Sequence, residues 1–242
     1  MRFTHEVLFA ESVRRGEFHR HDTDQYIFVH SGCNIIYTES ESILIMVGDL
    51  VFIPAGIAHR SQTLTSTHCS LIRCEPQKAH PLGASTMGAL SVSPLLREVF
   101  SLWGKEALPS DEKMLNCYQQ VLFDQIQRCN LQPHELIAKG ELDRRLLPIV
   151  EALAQQPSIK MTLAQFADST GASVRTLNRL FQGHFGMSFQ VIRQNIVMER
   201  ARQLILGGHS ATDISFLLGY SSLSAFSTAF NTYRQSVENP NL

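Results

Sequence analysis

The C-terminal part of the chain carries one short pattern of apolar, small and turn-forming residues twice, between residues 161 and 234. The first copy contains Leu163, Phe166, Ala167, Gly171, Ser173, Leu177, Leu180 and Phe181. The second copy contains Ala211, Ile214, Ser215, Gly219, Ser222, Phe226, Ala229 and Phe230. The copies are offset by 48 residues as far as the glycine and by 49 residues beyond it. Because unrelated helical hairpins do not usually repeat both turn residues and spacing, two copies of one supersecondary unit are favoured.

Each copy predicts a short helix, a glycine turn and a second helix. A small residue, Ala167 or Ser215, permits close crossing of the two helices, and the glycine takes a positive φ. The serine after the turn is a predicted N-cap. The second helix buries one face and leaves the other free to enter a DNA major groove. Residues 188–206 predict one connecting helix of about 28 Å, close to the roughly 34 Å between successive major-groove faces.

Charge is divided unevenly along the chain. The formal net charge is −1, but seven Lys or Arg and four acidic residues lie from Ser158 onward, which gives +3 there and −4 for the remainder. A modestly basic part joined to an acidic part favours a nucleic-acid partner for the C-terminal part alone.

Length and composition restrict the remaining possibilities. The 242 residues, 44% of them hydrophobic, predict one or two domains with a buried core. No apolar run approaches the roughly 20 residues of a membrane span, and the N-terminus lacks the apolar core of a signal peptide. We therefore expect a cytoplasmic protein with no membrane partner. The five cysteines form no CxxC pair and predict reduced thiols, with a redox sensor as the alternative.

Short β-forming runs separated by turns occupy the N-terminal part of the chain. These runs are residues 26–30, 33–38, 43–46, 50–53 and 70–73. Ser31-Gly32, Gly48-Asp49 and Pro54-Ala55-Gly56 separate them, and no helical segment intervenes. Closely spaced strands of this kind favour an antiparallel barrel or jelly roll.

Residues 91–156 predict helices. Ser93-Pro94 and Pro109-Ser110-Asp111 indicate two helix starts, and a third helical segment covers about residues 143–155. The second helix carries an apolar stripe of Met114, Leu115, Tyr118, Val121, Leu122 and Ile126. The stripe predicts either packing against the barrel or a dimer interface, and we favour the dimer interface.

Two histidine-containing stretches sharpen the barrel prediction. One is Gly16-Glu17-Phe18-His19-Arg20-His21, followed by Gln25 and Gly32, and the other contains Gly48, Pro54-Ala55-Gly56 and His59. They resemble the two sequence motifs of the cupin fold, a small jelly-roll barrel. In metal-binding cupins, the positions that match His19, His21, Gln25 and His59 hold a divalent ion, with Glu in place of Gln25.

The neutral Gln25 leaves the role of these residues open. A neutral amide is a weaker ligand than a carboxylate and cannot offset the charge of a cation. A divalent metal at His19, His21 and His59, an effector pocket and strand-end hydrogen bonds are the alternatives. We expect no required cofactor. The predicted effector-binding residues are His19, His21, Gln25, Tyr26 and His59.

With the barrel and the tandem pattern together, the whole chain resembles transcription regulators of the AraC/XylS family. The resemblance implies an α+β fold with three parts. Residues 1–90 would form a cupin-like antiparallel β-barrel that senses an effector, residues 91–157 a helical linker and dimerisation region, and residues 158–242 an all-α DNA-binding domain with two helix-turn-helix units. The implied partners are double-stranded promoter or operator DNA, a small-molecule effector and a second copy of the chain.

The resemblance also implies which residues contact DNA. The first recognition helix would present Arg175, Asn178 and Arg179 to base edges, with Thr176 in the same interface and Gln182 on phosphate or sugar. Arg can bond guanine and Asn can bond adenine in bidentate fashion. In the second unit the predicted contact residues are Ser222, Leu223, Ser224, Ser227, Thr228 and Asn231.

The second unit departs from the family pattern in two ways. The family usually has Arg or Lys at Thr228 and Asn231, and without those cations we expect a shallower salt dependence. The family also continues after Phe230 with an aromatic-Gly pair, Ser-Pro and a short closing helix. Here we expect that closing helix to be absent or irregular, so the first unit supplies most base readout.

A metal-dependent cupin enzyme, such as an isomerase or dioxygenase with a structural helical region, is the alternative function. Gln25 and the DNA-reading pattern count against it, and we expect no catalytic residue and no enzymatic activity. In a third interpretation the barrel of the regulator is only a dimerisation scaffold.

Overall fold

A computed structural model describes residues 3–11, 14–76, 87–104, 111–131 and 137–238. The chain divides into two compact units, Met1–Glu141 and Leu142–Leu242. The described part of the first unit contains antiparallel sheets and two helices, and that of the second is helical. The predicted α+β fold is confirmed.

The strands of the N-terminal unit form two antiparallel sheets. They are β1 Phe3–Ala10, β2 Asp24–Ser31, β3 Cys33–Tyr37, β4 Glu41–Met46, β5 Leu50–Ile53, β6 Arg60–Thr63, β7 Thr67–Cys74, β8 Gly88–Leu90 and β9 Ile137–Lys139. The first sheet has the order β1-β7-β2-β5-β8, and the second has the order β6-β3-β4-β9.

Alternating side chains give the barrel its core. Ile27 and Val51 from the first sheet pack with Ile36, Ile43 and Ile45 from the second sheet in one buried cluster. Because successive side chains of a strand point to opposite faces, the β-branched residues at every second position meet between the sheets. The predicted cupin-like antiparallel barrel is confirmed.

All five predicted β-forming runs overlap strands, whereas β1, β6, β8 and β9 were not predicted. Strand β6 shows why, because its side chains Arg60–Thr63 are all polar and only Thr63 is of a β-forming type. Its backbone pairs with β3, and this pairing depends on the tertiary fold.

Two helices, α1 (Pro94–Gly104) and α2 (Glu112–Gln127), pack on the outer face of the first sheet. The ring of Phe100 stacks on that of Phe28 with 4.4 Å between the ring centroids. Tyr26 lies in the same buried cluster. The barrel therefore has apolar cores on both faces of its first sheet.

The apolar stripe predicted for α2 is divided between two surroundings. Leu122 and Ile126 are buried against the barrel, whereas Met114 and Val121 are exposed. The predicted start is confirmed, since a side-chain oxygen of Asp111 accepts a hydrogen bond from the Met114 amide at 2.9 Å. Part of the stripe thus packs within the chain and part remains on the surface.

The C-terminal unit contains the two predicted helix pairs. Its elements are α3 Leu147–Gln155, a 3-10 turn Leu163–Phe166, α4 Ala167–Thr170, α5 Val174–Phe185, α6 Phe189–Leu206, α7 Ala211–Leu217 and α8 Leu223–Glu238. Helix α6 is the predicted continuous connection. Val197, Met198 and Ala201 of α6 pack with Ile214 and Phe226 in one core cluster.

The two compact units do not coincide with the predicted division into residues 1–90, 91–157 and 158–242. Helices α1 and α2 pack on the barrel, whereas α3 packs on α6 and on the 3-10 turn. The predicted linker region is therefore shared between the two units. None of the described helices is both long enough and apolar enough to cross a membrane.

Candidate nucleic-acid interface and barrel cavity

The first helix pair has the predicted glycine turn. Gly171 ends α4 with φ 62°, a left-handed conformation that glycine adopts without the steric penalty of a Cβ atom. Ser173 then caps α5, because its hydroxyl oxygen accepts a hydrogen bond from the Thr176 amide at 3.2 Å. The turn and the cap together fix where α5 begins.

Helix α5 has one buried and one exposed face. Leu177 and Phe181 are fully buried, with Phe185 one turn further on. Arg175, Asn178 and Arg179 are exposed on the other side, where they are accessible to a ligand as large as a DNA duplex. Two guanidinium groups and an amide within two turns form a surface that can bond phosphates and base edges.

The side chains of two other residues predicted to contact DNA form hydrogen bonds at the ends of α5. The side-chain amide of Gln182 donates to the carbonyl oxygen of Gly186 at 2.7 Å. The hydroxyl of Thr176 lies 3.0 Å from that of Ser173. Both side chains stabilise the termini of the helix, so a contact with DNA would compete with these bonds.

The second helix pair repeats the turn and the cap. Gly219 has φ 81°, and a Cβ atom there would lie 2.6 Å from the Ser158 hydroxyl oxygen. Ser222 caps α8 by accepting a hydrogen bond from the Ala225 amide at 3.1 Å. Glycine is therefore favoured at this turn by its backbone conformation, and a larger residue would also have to displace the Ser158 hydroxyl. Ser222, which was predicted to contact DNA, lies at the surface and serves as the cap.

The outward face of α8 carries short side chains. Leu223, Ser224, Thr228 and Asn231 are exposed, whereas Ser227 is half-buried. The hydroxyl of Thr228 donates to the carbonyl oxygen of Ser224 at 3.0 Å, within its own helix. This face offers hydroxyl and amide groups to a ligand but no cation among these five positions.

Helix α8 continues to Glu238, beyond the predicted recognition residues. No separate closing helix follows it within the described range, which ends at residue 238. Gln235 is exposed one turn beyond Asn231 and extends the polar face. The sequence contained a signal for this extension, because no Gly or Pro interrupts residues 222–239.

Helix α6 bonds to segments of both helix pairs. Arg193 donates from Nη1 to the carbonyl oxygen of Met161, just before the first pair. The amide of Gln194 donates to the hydroxyl oxygen of Tyr220, in the turn of the second pair, at 3.3 Å. Burial lowers the pKa of Arg193 from its usual range. These bonds hold the segment before the first pair and the turn of the second pair to one helix.

A cavity of about 470 Å³ opens into the barrel of the N-terminal unit. Its walls include Ile27, Ile36, Ile45 and Leu71, and polar side chains from several strands complete the lining. This volume lies within the range of about 300–1,000 Å³ that is typical of small-molecule sites.

Three histidines cluster at this cavity as predicted. One nitrogen from each of His19, His21 and His59 lies within 4.8 Å of the corresponding nitrogens of the other two. The backbones of His19 and His59 pair at 2.9 Å in both directions, which brings the segment before β2 against the segment before β6. His19 and His59 line the cavity, and His21 lies beside it.

Backbone carbonyl groups orient two of these imidazoles. Nδ1 of His19 lies 2.8 Å from the Glu17 carbonyl oxygen, and Nδ1 of His59 lies 2.9 Å from that of Ile57. In the neutral tautomer that donates from Nδ1, Nε2 carries the lone pair. Burial lowers the pKa of His59 and, with the nearby Arg73, that of His21. The neutral form, in which one ring nitrogen is an acceptor, is therefore favoured for His59 and His21.

Two amide side chains also line the cavity. Gln25 and Asn34 are each 5% exposed, and their side-chain oxygens have no hydrogen-bond partner among the described residues. Asn34 was not predicted as a site residue. The signal for it is a lone amide within the apolar run Cys33–Tyr37, because a buried polar group in a strand requires a partner.

Tyr26 does not join this site. It lies on the opposite face of β2 from Gln25 and packs on Phe52 with 5.0 Å between the ring centroids. Side chains alternate along a strand, so neighbours such as Gln25 and Tyr26 cannot both face the cavity. The assignment of Tyr26 to the effector site is wrong for this reason.

Comparison with known proteins agrees with the helix arrangement. The model of a helix-turn-helix domain family matches residues 166–236. The chain is 28% identical over 234 residues to the HTH-type transcriptional regulator NimR of Escherichia coli strain K12, which covers 93% of this chain and 84% of that protein. It is 26% identical over 211 residues to the HTH-type transcriptional regulator RipA of Corynebacterium glutamicum, which covers 86% of this chain and 58% of that protein.

Among solved structures, ToxT from Vibrio cholerae O395 aligns with 95% of this chain and 93% of its own, at 13% identity and a TM-score of 0.36. The tandem helix pairs, the match to the helix-turn-helix model and the two regulator relatives support a DNA-binding transcriptional regulator of the helix-turn-helix type, in agreement with the resemblance to the AraC/XylS family.

Proposed function

We propose that α5 reads the operator sequence and that a small molecule in the barrel cavity controls this activity. The observation that supports operator reading most directly is the exposed row of Arg175, Asn178 and Arg179, which lies opposite the buried face of α5. Each arginine can bond O6 and N7 of a guanine, and Asn178 can bond N6 and N7 of an adenine. In this proposal α8 contributes mainly to docking.

Selection of bound fragments from a random DNA pool tests operator reading. The full-length wild-type protein is expected to select one motif, and Arg175→Ala and Asn178→Ala are each expected to relax that motif at a different base pair. Arg200→Ala is the matched control, because it removes an exposed cation from α6 instead of α5. If both α5 variants selected the wild-type motif unchanged, α5 would not be the reading helix.

We propose the cavity as the effector site because it combines a suitable volume with buried polar groups that have no partner among the described residues. A molecule bound there would stabilise the folded protein in proportion to its concentration relative to Kd. Thermal-shift screening of a small-molecule library, followed by operator binding with and without each hit, tests this proposal. If no molecule both stabilised the protein and changed its operator affinity, the barrel would be only a dimerisation scaffold and the effector proposal would be contradicted.

We propose that the protein is a homodimer in the cytoplasm, where it meets its DNA. Leu95 is 51% exposed, Met114 is 50% exposed and Val121 is 39% exposed, so α1 and α2 leave apolar side chains on their surface. Analytical ultracentrifugation of Val121→Glu tests this surface, with Asn116→Glu on a polar position of α2 as the control. If Val121→Glu sedimented like the wild-type protein, this face would not be the interface.

We propose, as a second function of the cavity region, that His19, His21 and His59 hold a divalent metal ion. Nε2 of His21 and of His59 is buried without a hydrogen-bond partner among the described residues, and imidazole suits several transition metals. Tetrahedral coordination at 2.0–2.1 Å places ligand atoms about 3.3 Å apart, so the rings would have to move closer than 4.8 Å. A bound ion would supply a cross-link between the segment before β2 and that before β6.

Elemental analysis of the purified protein tests the metal site. Stoichiometric metal in the wild-type protein and its loss in His59→Ala are expected. His209→Ala is the control, because it removes an exposed histidine of the C-terminal unit. Equal metal content in the two variants would contradict the assignment. That the protein has no enzymatic activity and requires no cofactor stays a prediction.

A further inference from the structure

The described wall of the barrel cavity carries positive charge and no negative charge. Three arginines line it: Arg14 and Arg15 come from the segment between β1 and β2, and Arg73 comes from β7. No acidic side chain lines the described wall. Because charges interact more strongly in a cleft that is partly shielded from water, this lining favours a negatively charged ligand.

Two of these arginines are paired with carboxylates that lie outside the cavity lining. Arg73 donates from Nη1 to Glu6 at 3.1 Å, and Arg15 donates from Nη2 to Glu141 at 3.1 Å. Arg60 donates to the same oxygen of Glu141 at 2.8 Å, so one carboxylate serves two guanidinium groups. The Glu6 and Glu141 side chains are 51% and 61% exposed, and water therefore screens these ion pairs. The positive charge of the wall is only partly offset.

Arg73 has a buried donor that the bond to Glu6 does not use. A guanidinium has five N–H donors, and Nε of Arg73 is buried without a hydrogen-bond partner among the described residues. Gln25, which is 5% exposed, lies beside Arg73 in the register of β2 and β7, and its side-chain oxygen has no partner among the same residues. Native proteins rarely leave buried polar atoms unsatisfied. These atoms therefore indicate where a ligand makes its polar contacts.

Arg14 provides a second cation at the cavity wall. Its backbone is fixed, because its amide donates to the Thr63 hydroxyl oxygen at 2.7 Å and its carbonyl oxygen accepts from the Thr63 amide at 2.9 Å. Its side chain is exposed and has no hydrogen-bond or ion-pair partner in the described part of the chain. A long side chain on a fixed backbone can adjust to the anionic group of a ligand.

Apolar side chains adjoin the cationic position. Leu71 and Arg73 lie on the same face of β7, because side chains two residues apart along a strand point in the same direction. Ile27, Ile36 and Ile45 line the wall as well. A ligand that reaches Arg73 must therefore also cover apolar surface.

We propose that the effector is a small molecule with one carboxylate group and a compact apolar body. The carboxylate accepts hydrogen bonds from Arg73 and Arg14, and the apolar body covers Ile36, Ile45 and Leu71. An ammonium group would be repelled by the arginines, and a neutral head group would form only neutral hydrogen bonds, which are about half as strong as charge-assisted ones. This inference rests on the proposed effector site.

Three probes with one skeleton and different charges test the inference: cyclohexanecarboxylate, cyclohexanecarboxamide and cyclohexylmethylammonium. The full-length protein is freed of metal with a chelator and then desalted, so that no bound ion attracts the anion. Ligand-observed NMR titrations at one ionic strength give an affinity for each probe. The carboxylate is expected to bind at least about tenfold more tightly than the carboxamide, and the ammonium is expected to bind most weakly.

Matched variants connect this preference to the named arginines. Arg73→Gln is expected to weaken carboxylate binding by about tenfold and carboxamide binding by less, because the charge-assisted bond is lost. Arg14→Gln is expected to weaken carboxylate binding by about threefold, since this side chain is exposed. Arg128→Gln is the control, because it removes an exposed arginine of α2 that also has an acidic partner, Asp124, and does not line the cavity.

Circular dichroism of each variant confirms folding, and Arg14→Gln serves if Arg73→Gln does not fold. Equal or tighter binding of the carboxamide or the ammonium, or wild-type carboxylate binding by both cavity variants, would overturn the ligand class while leaving the cavity as an effector site. Absence of saturable binding by all three probes would overturn the inference and would also contradict the cavity as a small-molecule site.

Discussion

The two helix-turn-helix units share a frame, by which we mean the turn glycine, the serine cap and the buried residues of the helix pair. They differ in the exposed side chains of the second helix. Both have a left-handed glycine in the turn and a serine cap on the second helix, at Gly171 and Ser173 and again at Gly219 and Ser222. Their outward faces differ, because α5 exposes two arginines and an asparagine whereas α8 exposes mainly hydroxyl groups. The turn glycine and the serine cap are thus alike in the two pairs, whereas the exposed side chains of the second helices differ.

The difference shows which physical requirement each set meets. The frame is restricted by backbone conformation and packing, and both copies share the left-handed turn glycine, the serine cap and a buried face on the second helix. The surface is restricted only by the ligand, so it can differ between copies without a cost in folding. Substitutions in the frame should therefore lower the stability by similar amounts in both units. Substitutions of exposed side chains should lower the DNA affinity by different amounts in the two units.

The largest expected effect concerns the shared frame. Leu177 and Phe226 are the buried residues at matching positions of the two second helices, with 0% and 2% of their surface exposed. Leu177→Ala and Phe226→Ala are each expected to lower the free energy of unfolding by about 2–5 kcal/mol, because each leaves a cavity. Urea unfolding of the full chain, followed by circular dichroism, measures this.

Phe216→Ala is the control for the frame, since Phe216 is 84% exposed. It is expected to change the stability by less than about 0.5 kcal/mol. If Phe226→Ala were no more destabilising than Phe216→Ala, the second unit would not share the frame of the first.

The next effect concerns the unequal surfaces. Arg179→Ala is expected to cost about 1–3 kcal/mol of binding free energy on a selected operator fragment. Thr228→Ala is expected to cost less, because the Thr228 hydroxyl already bonds the Ser224 carbonyl oxygen of its own helix. Gel-shift titrations at one salt concentration compare the two variants. The opposite order of losses would show that α8 is the main reader.

A smaller effect concerns the two helix caps. Ser173→Ala and Ser222→Ala are each expected to destabilise the protein by about 1 kcal/mol, since each leaves a helix N–H group without its capping partner. Ser221→Ala, an exposed neighbour, is the control. Similar losses for both caps, measured by urea unfolding, agree with equal frames, and a loss at only one cap would contradict them.

The smallest effect adds a cation to the second unit. Thr228→Arg is expected to steepen the slope of log affinity against log salt concentration by about 0.9, because one more phosphate is neutralised. Gln155→Arg places the same charge on α3 and is the control. A slope equal to that of the wild-type protein would mean that this position of α8 does not face the DNA backbone.

The sequence alone was sufficient for the features that depend on local chemistry. The turn glycines, the serine caps and the helix start at Asp111 follow from backbone conformation and nearby hydrogen bonds, so neighbouring residues suffice to predict them. The antiparallel barrel followed from the closely spaced strands, and its cupin-like type followed from the resemblance of the stretches around His19, His21 and His59 to the cupin motifs.

Other features depend on tertiary register and could not be read from neighbours. Whether Gln25 or Tyr26 faces the cavity is decided by which face of β2 meets the second sheet, and the role of Asn34 depends on the same geometry. Strand β6 exists through pairing with β3. Gln182 fits a phosphate contact by position, yet its amide bonds the Gly186 carbonyl oxygen.

The exposed face of α8 also has a consequence for evolution. Phe226 holds the helix from its buried side, and the side chains of Thr228 and Asn231 lie outside that core. Single substitutions at these two positions can therefore add or alter a DNA contact while the fold is retained.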